Sequence, residues 1–156
     1  MRIRQAQTKT EIEEVRKLFQ EYEALLGVDL SFQGFKDELA GLPGKYSRPS
    51  GDLLIGVMED RISGCVALRR SDNGVCEMKR LFVRPEARGK GLGRQLAQDI
   101  IAAAQSLGYS LMRLDTLGRL AEAMHLYETL GFKRIDPYYK NPLPGVVYWE
   151  LDLKAQ

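Results

Sequence analysis

A chain of 156 residues, 44% of them apolar and 28% charged, is long enough to bury one core. Its formal net charge of +2 excludes a protein whose whole surface seeks polyanions, and its two cysteines, Cys65 and Cys76, form neither a disulfide framework nor a metal spacing. The start at Met1 has no secretory apolar core, and no apolar run reaches the ~20 residues of a membrane span. One domain over 1–156 is therefore expected, cytoplasmic, with no metal and no membrane contact.

Residues 2–6 alternate weakly and suggest a first strand. Thr10-Glu11-Ile12-Glu13 has the form of a capping box, and Ile12, Val15, Phe19, Tyr22 and Leu26 then share one helical face. Phe32, Phe35, Leu39 and Leu42 suggest a second helix closed by Pro43-Gly44, followed by a loop to Gly51. The apolar run 53–58 is too short for a helix and reads as a buried strand. A second strand follows over 62–69, and Asn73-Gly74 turns the chain into a third over 75–83. Leu92, Leu96, Ile100, Ala103 and Leu107 are spaced as a helix that Gly108 stops. A strand over 111–115, a helix carrying Ala123, Leu126, Tyr127 and Leu130, and strands over 133–135 and 146–153 complete the chain. The order β-α-α-β-β-β-α-β-α-β-β predicts a single α/β domain with a mixed, mostly antiparallel central sheet flanked by helices. One parallel crossover joins the strand before the long helix to the strand after it.

Arg88-Gly89-Lys90-Gly91-Leu92-Gly93 lies directly between a strand and an amphipathic helix. Glycines there let the backbone approach a ligand and aim successive N–H groups at it, and the helix N-terminus adds positive potential. The surroundings are basic as well: from Lys79 to Arg94 six cations meet one acid, Glu86, so this stretch carries +5 and the remainder −3. The dinucleotide pattern G-x-G-x-x-G fails because Arg94 stands in its last place, and the P-loop fails because Gly91 follows Lys90. The pattern Arg/Gln-x-x-Gly-x-Gly/Ala is met by Arg88, Gly91 and Gly93.

With that motif the sequence resembles the GNAT superfamily of N-acetyltransferases. Leu81-Phe82-Val83-Arg84-Pro85 matches the strand end that precedes the glycine turn. Leu126-Tyr127-Glu128-Thr129-Leu130-Gly131-Phe132 matches the later helix-and-strand motif, and order and spacing agree from about residue 50 to 153. The family often has Asn seven residues before the helix tyrosine, where this chain has Leu120. The resemblance implies acetyl-CoA as cosubstrate and transfer of its acetyl group to a primary amine of a small molecule, directly, in a ternary complex. It implies a cofactor site made by Leu81, Phe82 and Val83 together with Arg88, Gly89, Lys90, Gly91, Leu92, Gly93 and Arg94. Glu77, an acid within an apolar strand, is the candidate general base, directly or through water, and Tyr127 the candidate general acid for the leaving thiolate. Tyr46, Arg80, Tyr138, Tyr139 and Asn141 are candidates for the acceptor pocket, with Lys79 or Arg80 a candidate grip on a substrate carboxylate.

Plainer readings stand beside these. Glu77 would instead pair with Lys79 on a surface, Tyr127 would be core, and His125 is a solvated histidine without a metal partner. A buried strand thiol is usually inert, so neither cysteine is taken as a nucleophile. A non-catalytic acyl-CoA sensor of the same fold is the alternative function. A nucleic-acid module is not expected, since the basic stretch lacks interleaved aromatics. A homodimer is compatible with the sequence.

Overall fold

The computed structural model describes residues 1–155. In chain order it contains β1 (Arg2–Gln5), α1 (Lys9–Leu26), α2 (Phe35–Ala40), β2 (Asp52–Met58), β3 (Arg61–Asp72) and β4 (Val75–Val83). These are followed by α3 (Leu92–Ser106), β5 (Leu111–Leu117), α4 (Ala121–Thr129), β6 (Lys133–Ile135) and β7 (Val146–Asp152). Short 3-10 turns occupy Ser31–Gln33, Gly44–Tyr46 and Pro85–Ala87.

The strands form one seven-stranded sheet in the order β1-β2-β3-β4-β5-β7-β6. Only β4 and β5 are parallel, and every other neighbouring pair is antiparallel. The expected mixed α/β sheet with one parallel crossover is what the chain forms. Two cores lie on its two faces. Leu92, Leu96 and Ile100 of α3 and Tyr127 of α4 pack over one side, together with Trp149. Val15, Leu18 and Phe19 of α1 pack over the other, with Phe35 of α2.

Local details differ from the sequence expectation for identifiable reasons. The cap of α1 is Thr8, not Thr10. Thr8 Oγ1 accepts from the Glu11 N–H, and Glu11 Oε1 accepts from the Thr8 N–H. Glu11 also pairs with Arg4 of β1, which favours the earlier start. The expected second helix is divided because Gly34 takes φ +70° between the turn Ser31–Gln33 and α2. The loop before β2 contains the turn Gly44–Tyr46 that buries Tyr46.

Two features of the sheet position the site. First, β4 and β5 pair only at Val75–Leu111, Cys76–Met112 and Glu77–Arg113, although both strands run on to Val83 and Leu117. Beyond Glu77 they part, and the β4 edge facing β5 has no strand partner. Second, β4 carries a bulge. Opposite Cys65 stands Phe82 but opposite Ala67 stands Lys79, so β4 has one residue more than β3 in this interval. Arg80 lies there with φ +61°, a conformation that costs a side-chain-bearing residue about 1 kcal/mol or more. The start of α3 is seated deeply on the sheet. A Cβ on Gly56 would lie 2.6 Å from Leu92 Cδ1, and one on Gly64 would lie 2.8 Å from the Phe82 carbonyl oxygen.

Candidate active site

The parting of β4 and β5 opens a cavity whose wall includes Lys79, Arg80, Leu81, Asp115, Tyr127 and Asn141. A longer cleft beside it is lined by Phe82, Val83, Arg88, Gly89, Gly91 and Gly93, with Leu81 and Leu92. The two share a wall made by Tyr22, Leu26, Leu81, Leu120 and Ala123.

The cleft is built for an anion at one end and an apolar chain along its length. Gly89 and Gly91 have φ +77° and +86°, values open to glycine at little cost. Gly91 caps α3 with no side-chain hydrogen bond, so the first N–H groups of the helix remain to meet a ligand. Leu81, Leu120, Ala121, Ala123 and Leu126 supply apolar walls. These features fit a diphosphate carrying a pantetheine arm.

Eight of the ten expected cofactor residues line this cleft: Leu81, Phe82, Val83, Arg88, Gly89, Gly91, Leu92 and Gly93. Lys90 and Arg94 do not. Lys90 borders a separate cleft with Arg61 and Glu86, and Arg94 donates to Thr129 Oγ1 at 2.8 Å on α4. Nor does the basic stretch form one surface. Arg80 turns to Glu38 and Arg84 pairs with Glu14 and Glu21 at 2.9 Å each, whereas Arg88 borders the cleft with Nε fixed on the Val83 carbonyl at 2.9 Å. A cation not foreseen, Arg119, also borders the cleft, where it donates to the Leu26 carbonyl.

Tyr127 lies in the wall of the β4–β5 cavity, its ring edge-on to Phe132 at 5.7 Å and tilted against Trp149 at 6.3 Å. Burial pushes its phenol well above the ordinary value of 10.0. No described residue hydrogen-bonds to the hydroxyl.

Glu77 is not part of that wall. Its Oε1 accepts from Arg69 Nε at 3.0 Å and forms an ion pair with Nη2 at 2.9 Å, and its Oε2 accepts from Tyr138 at 2.7 Å. The supposed partner Lys79 bonds elsewhere, to Gln33 Oε1 at 3.3 Å. The carboxylate that does line the cavity is Asp115. Its Oδ2 accepts from the Tyr139 hydroxyl and from Asn141 Nδ2 at 2.9 Å, while its Oδ1 has no partner among the described residues. The loop bearing Tyr138, Tyr139 and Asn141 is thus fastened to the sheet by Glu77 and Asp115. Tyr138 and Tyr139 border an outer groove, and Asn141 borders both groove and cavity.

The remaining acceptor candidates separate. Arg80 reaches the cavity but is committed to Glu38 at 2.9 and 3.0 Å, with its guanidinium against the rings of Phe35 and Tyr22. Tyr46 is buried against Phe19 and borders a different cleft beside Glu38 and Arg69. Asp115 could have been noticed as the one acid in its strand, flanked by Leu114 and Leu117. Tyr139 and Asn141 were expected near the pocket, but their pairing with Asp115 was not, because their loop has no periodic pattern to fix its register.

A mixed sheet whose parallel pair splays beside a glycine turn is the architecture expected from the sequence, and comparisons with known proteins identify the family. The acetyltransferase (GNAT) domain profile matches residues 49–134. The chain is 46% identical over 145 residues to an uncharacterized N-acetyltransferase of Schizosaccharomyces pombe, covering 92% of this chain and 89% of the relative. It is 32% identical over 111 residues to the N-acetylaspartate synthetase of Danio rerio, 70% of this chain and 39% of that one. An acetyltransferase structure from Salmonella typhimurium, described with its cofactor acetyl-CoA, superposes with a TM-score of 0.71 at 21% identity, over 98% of this chain and 94% of that one. The chain belongs to the GNAT family of N-acetyltransferases.

Proposed function

We propose that this protein transfers the acetyl group of acetyl-CoA to the amine of a small molecule, directly, within a ternary complex. One observation carries the reading: the cleft with the glycine turn and the cavity holding Asp115 and Tyr127 share a wall. A carrier held by the main-chain N–H groups at the start of α3 would extend along the apolar walls towards the open edge of β4. Leu81, Phe82 and Val83 would meet it there through backbone groups, one N–H acting on the developing oxyanion. The Salmonella protein's acetyl-CoA and the GNAT membership of this chain support the choice of carrier.

In the transfer the amine nitrogen bonds to the carbonyl carbon, the carbon–sulfur bond breaks, the amine loses a proton and the thiolate gains one. Tyr127 is suited to supply the thiolate's proton, because burial keeps its phenol protonated far into the alkaline range. For the amine's proton we assign Asp115 rather than Glu77. Asp115 borders the cavity with Oδ1 unengaged, whereas both oxygens of Glu77 are taken by Arg69 and Tyr138. Glu77 becomes a positioning residue, holding Tyr138 beside the Tyr139 that holds Asp115.

Thiol release from acetyl-CoA across a panel of small amines tests the proposal, with calorimetry of acetyl-CoA alone as its partner measurement. Amine-dependent release that Tyr127→Phe strongly reduces is the expected result. Binding without release on any amine would make the protein an acyl-CoA sensor, and no binding at millimolar acetyl-CoA would end the assignment.

A further inference from the structure

Four cations of the sheet lie buried or half-buried near the β4–β5 opening, and three are neutralised. Arg80 has Glu38, Arg69 has Glu77 and Arg113 has Glu150. Lys79 is different. It is 6% exposed, its ammonium meets the Gln33 carbonyl oxygen at 3.3 Å, and no described carboxylate lies within ion-pair distance of it. Leaving a charge buried without its counter-ion is costly. The cost is explained if the counter-ion arrives with a ligand, since both Lys79 and Gln33 border the cavity. Gln33 uses its oxygen on Lys79 and keeps its amide N–H groups for an acceptor.

Opposite charges therefore stand on the two walls of one cavity without joining: Lys79 on β4 and Asp115 on β5. We infer that the acceptor is a small amino acid, whose carboxylate is received by Lys79 and Gln33 while its ammonium meets Asp115. This rests on the acetyltransferase reading above and adds its substrate class. A plain amine would satisfy Asp115 and leave Lys79 unpaired, and a polyamine would bring a second cation towards it. Leu30, Leu117 and Leu143 close the apolar part of the cavity, which favours a short side chain.

The test compares glycine, alanine, serine and aspartate with ethylamine and ethanolamine, by initial rates with acetyl-CoA and by calorimetry without it. Amino acids should have the higher kcat/KM. Lys79→Met should raise their KM by about 10- to 100-fold, the range for losing a hydrogen bond to a charged group. It should leave KM for acetyl-CoA and for ethylamine in place and should not lower the thermal midpoint, because it removes a buried unpaired charge. Gln33→Leu should move the amino-acid KM in the same direction by less. Preference for the plain amines overturns the inference. So does a Lys79→Met variant that raises every KM alike or melts earlier, since Lys79 would then be structural. Failure of the transfer reading looks different: acetyl-CoA gives no turnover, yet amino acids still bind and lose that binding in Lys79→Met.

Discussion

Asp115 and Glu77 are both acids on adjacent strands, yet their surroundings give them different chemistry. Glu77 is closed on both oxygens, whereas Asp115 is anchored on one and open on the other. Asp115→Asn should lower kcat by about 10²- to 10⁴-fold, the usual worth of a positioned proton acceptor. Glu77→Gln should cost less and leave the shape of the pH–rate profile unchanged, and profiles of both variants decide between them. Tyr127 permits a second prediction. Because burial raises its phenol above 10.0, the alkaline limb of kcat should stay flat to about pH 10, and Tyr127→Phe should lower kcat while KM for acetyl-CoA holds. Lys79 permits a third, on stability. Burial lowers its folded pKa below 10.5, against the opposing pull of Asp115 and Glu77. The unfolded chain then binds the extra proton between the lowered value and 10.5, so stability rises with pH in that window. The thermal advantage of Lys79→Met over the native chain should narrow as pH climbs towards 10.5, as paired melting curves would show.

At the scale of elements, the register of strands and the seating of α3 matter more than any single contact. Gly64 lies where an added methyl would come within 2.8 Å of the Phe82 carbonyl oxygen, and backbone yields little. Gly64→Ala should destabilise the fold by about 1–3 kcal/mol, read as a fall in denaturation midpoint. The element order was legible in the sequence because hydrophobic spacing switches cleanly between the periods of strand and helix. The glycine turn was legible because three glycines and Arg88 fall at fixed offsets between a strand and a helix. Thr8 was missed as the cap because Thr10 offers the same pattern two residues on, and only the Arg4–Glu11 pair separates them. The proposed reassignment of the base from Glu77 to Asp115 has a similar origin. An acid in an apolar strand reads as a buried base, while the Arg69 and Tyr138 that occupy it are respectively 8 and 61 residues away in sequence. Lys90 and Arg94 show that charge within or beside a glycine turn in sequence need not line the cleft that the turn borders.

Across the whole molecule, the sheet divides the labour. One face carries α3 and α4, the other carries α1 and α2, and the cavity with Asp115 and Tyr127 lies at the seam between β4 and β5. Among the described residues no helix is long and apolar enough to cross a membrane. Both thiols are buried in the sheet, and burial raises Cys76 to about 12 and Cys65 further. The proposed direct transfer predicts that initial-velocity plots intersect and that mass spectrometry of protein held with acetyl-CoA alone finds no acetylated cysteine.

Arg80 is the supernumerary residue of its strand. Were it struck out, the pleat would run on unbroken, with Met78 and Phe82 keeping the faces they now hold. The loss would fall on Glu38 and on the Phe35 and Tyr22 rings that its guanidinium covers. What would vanish is the extra local twist that a bulge adds to β4, beside the edge that β5 has already left. A strand one residue too long for β3 thus lies along the very stretch where β5 has let go of it.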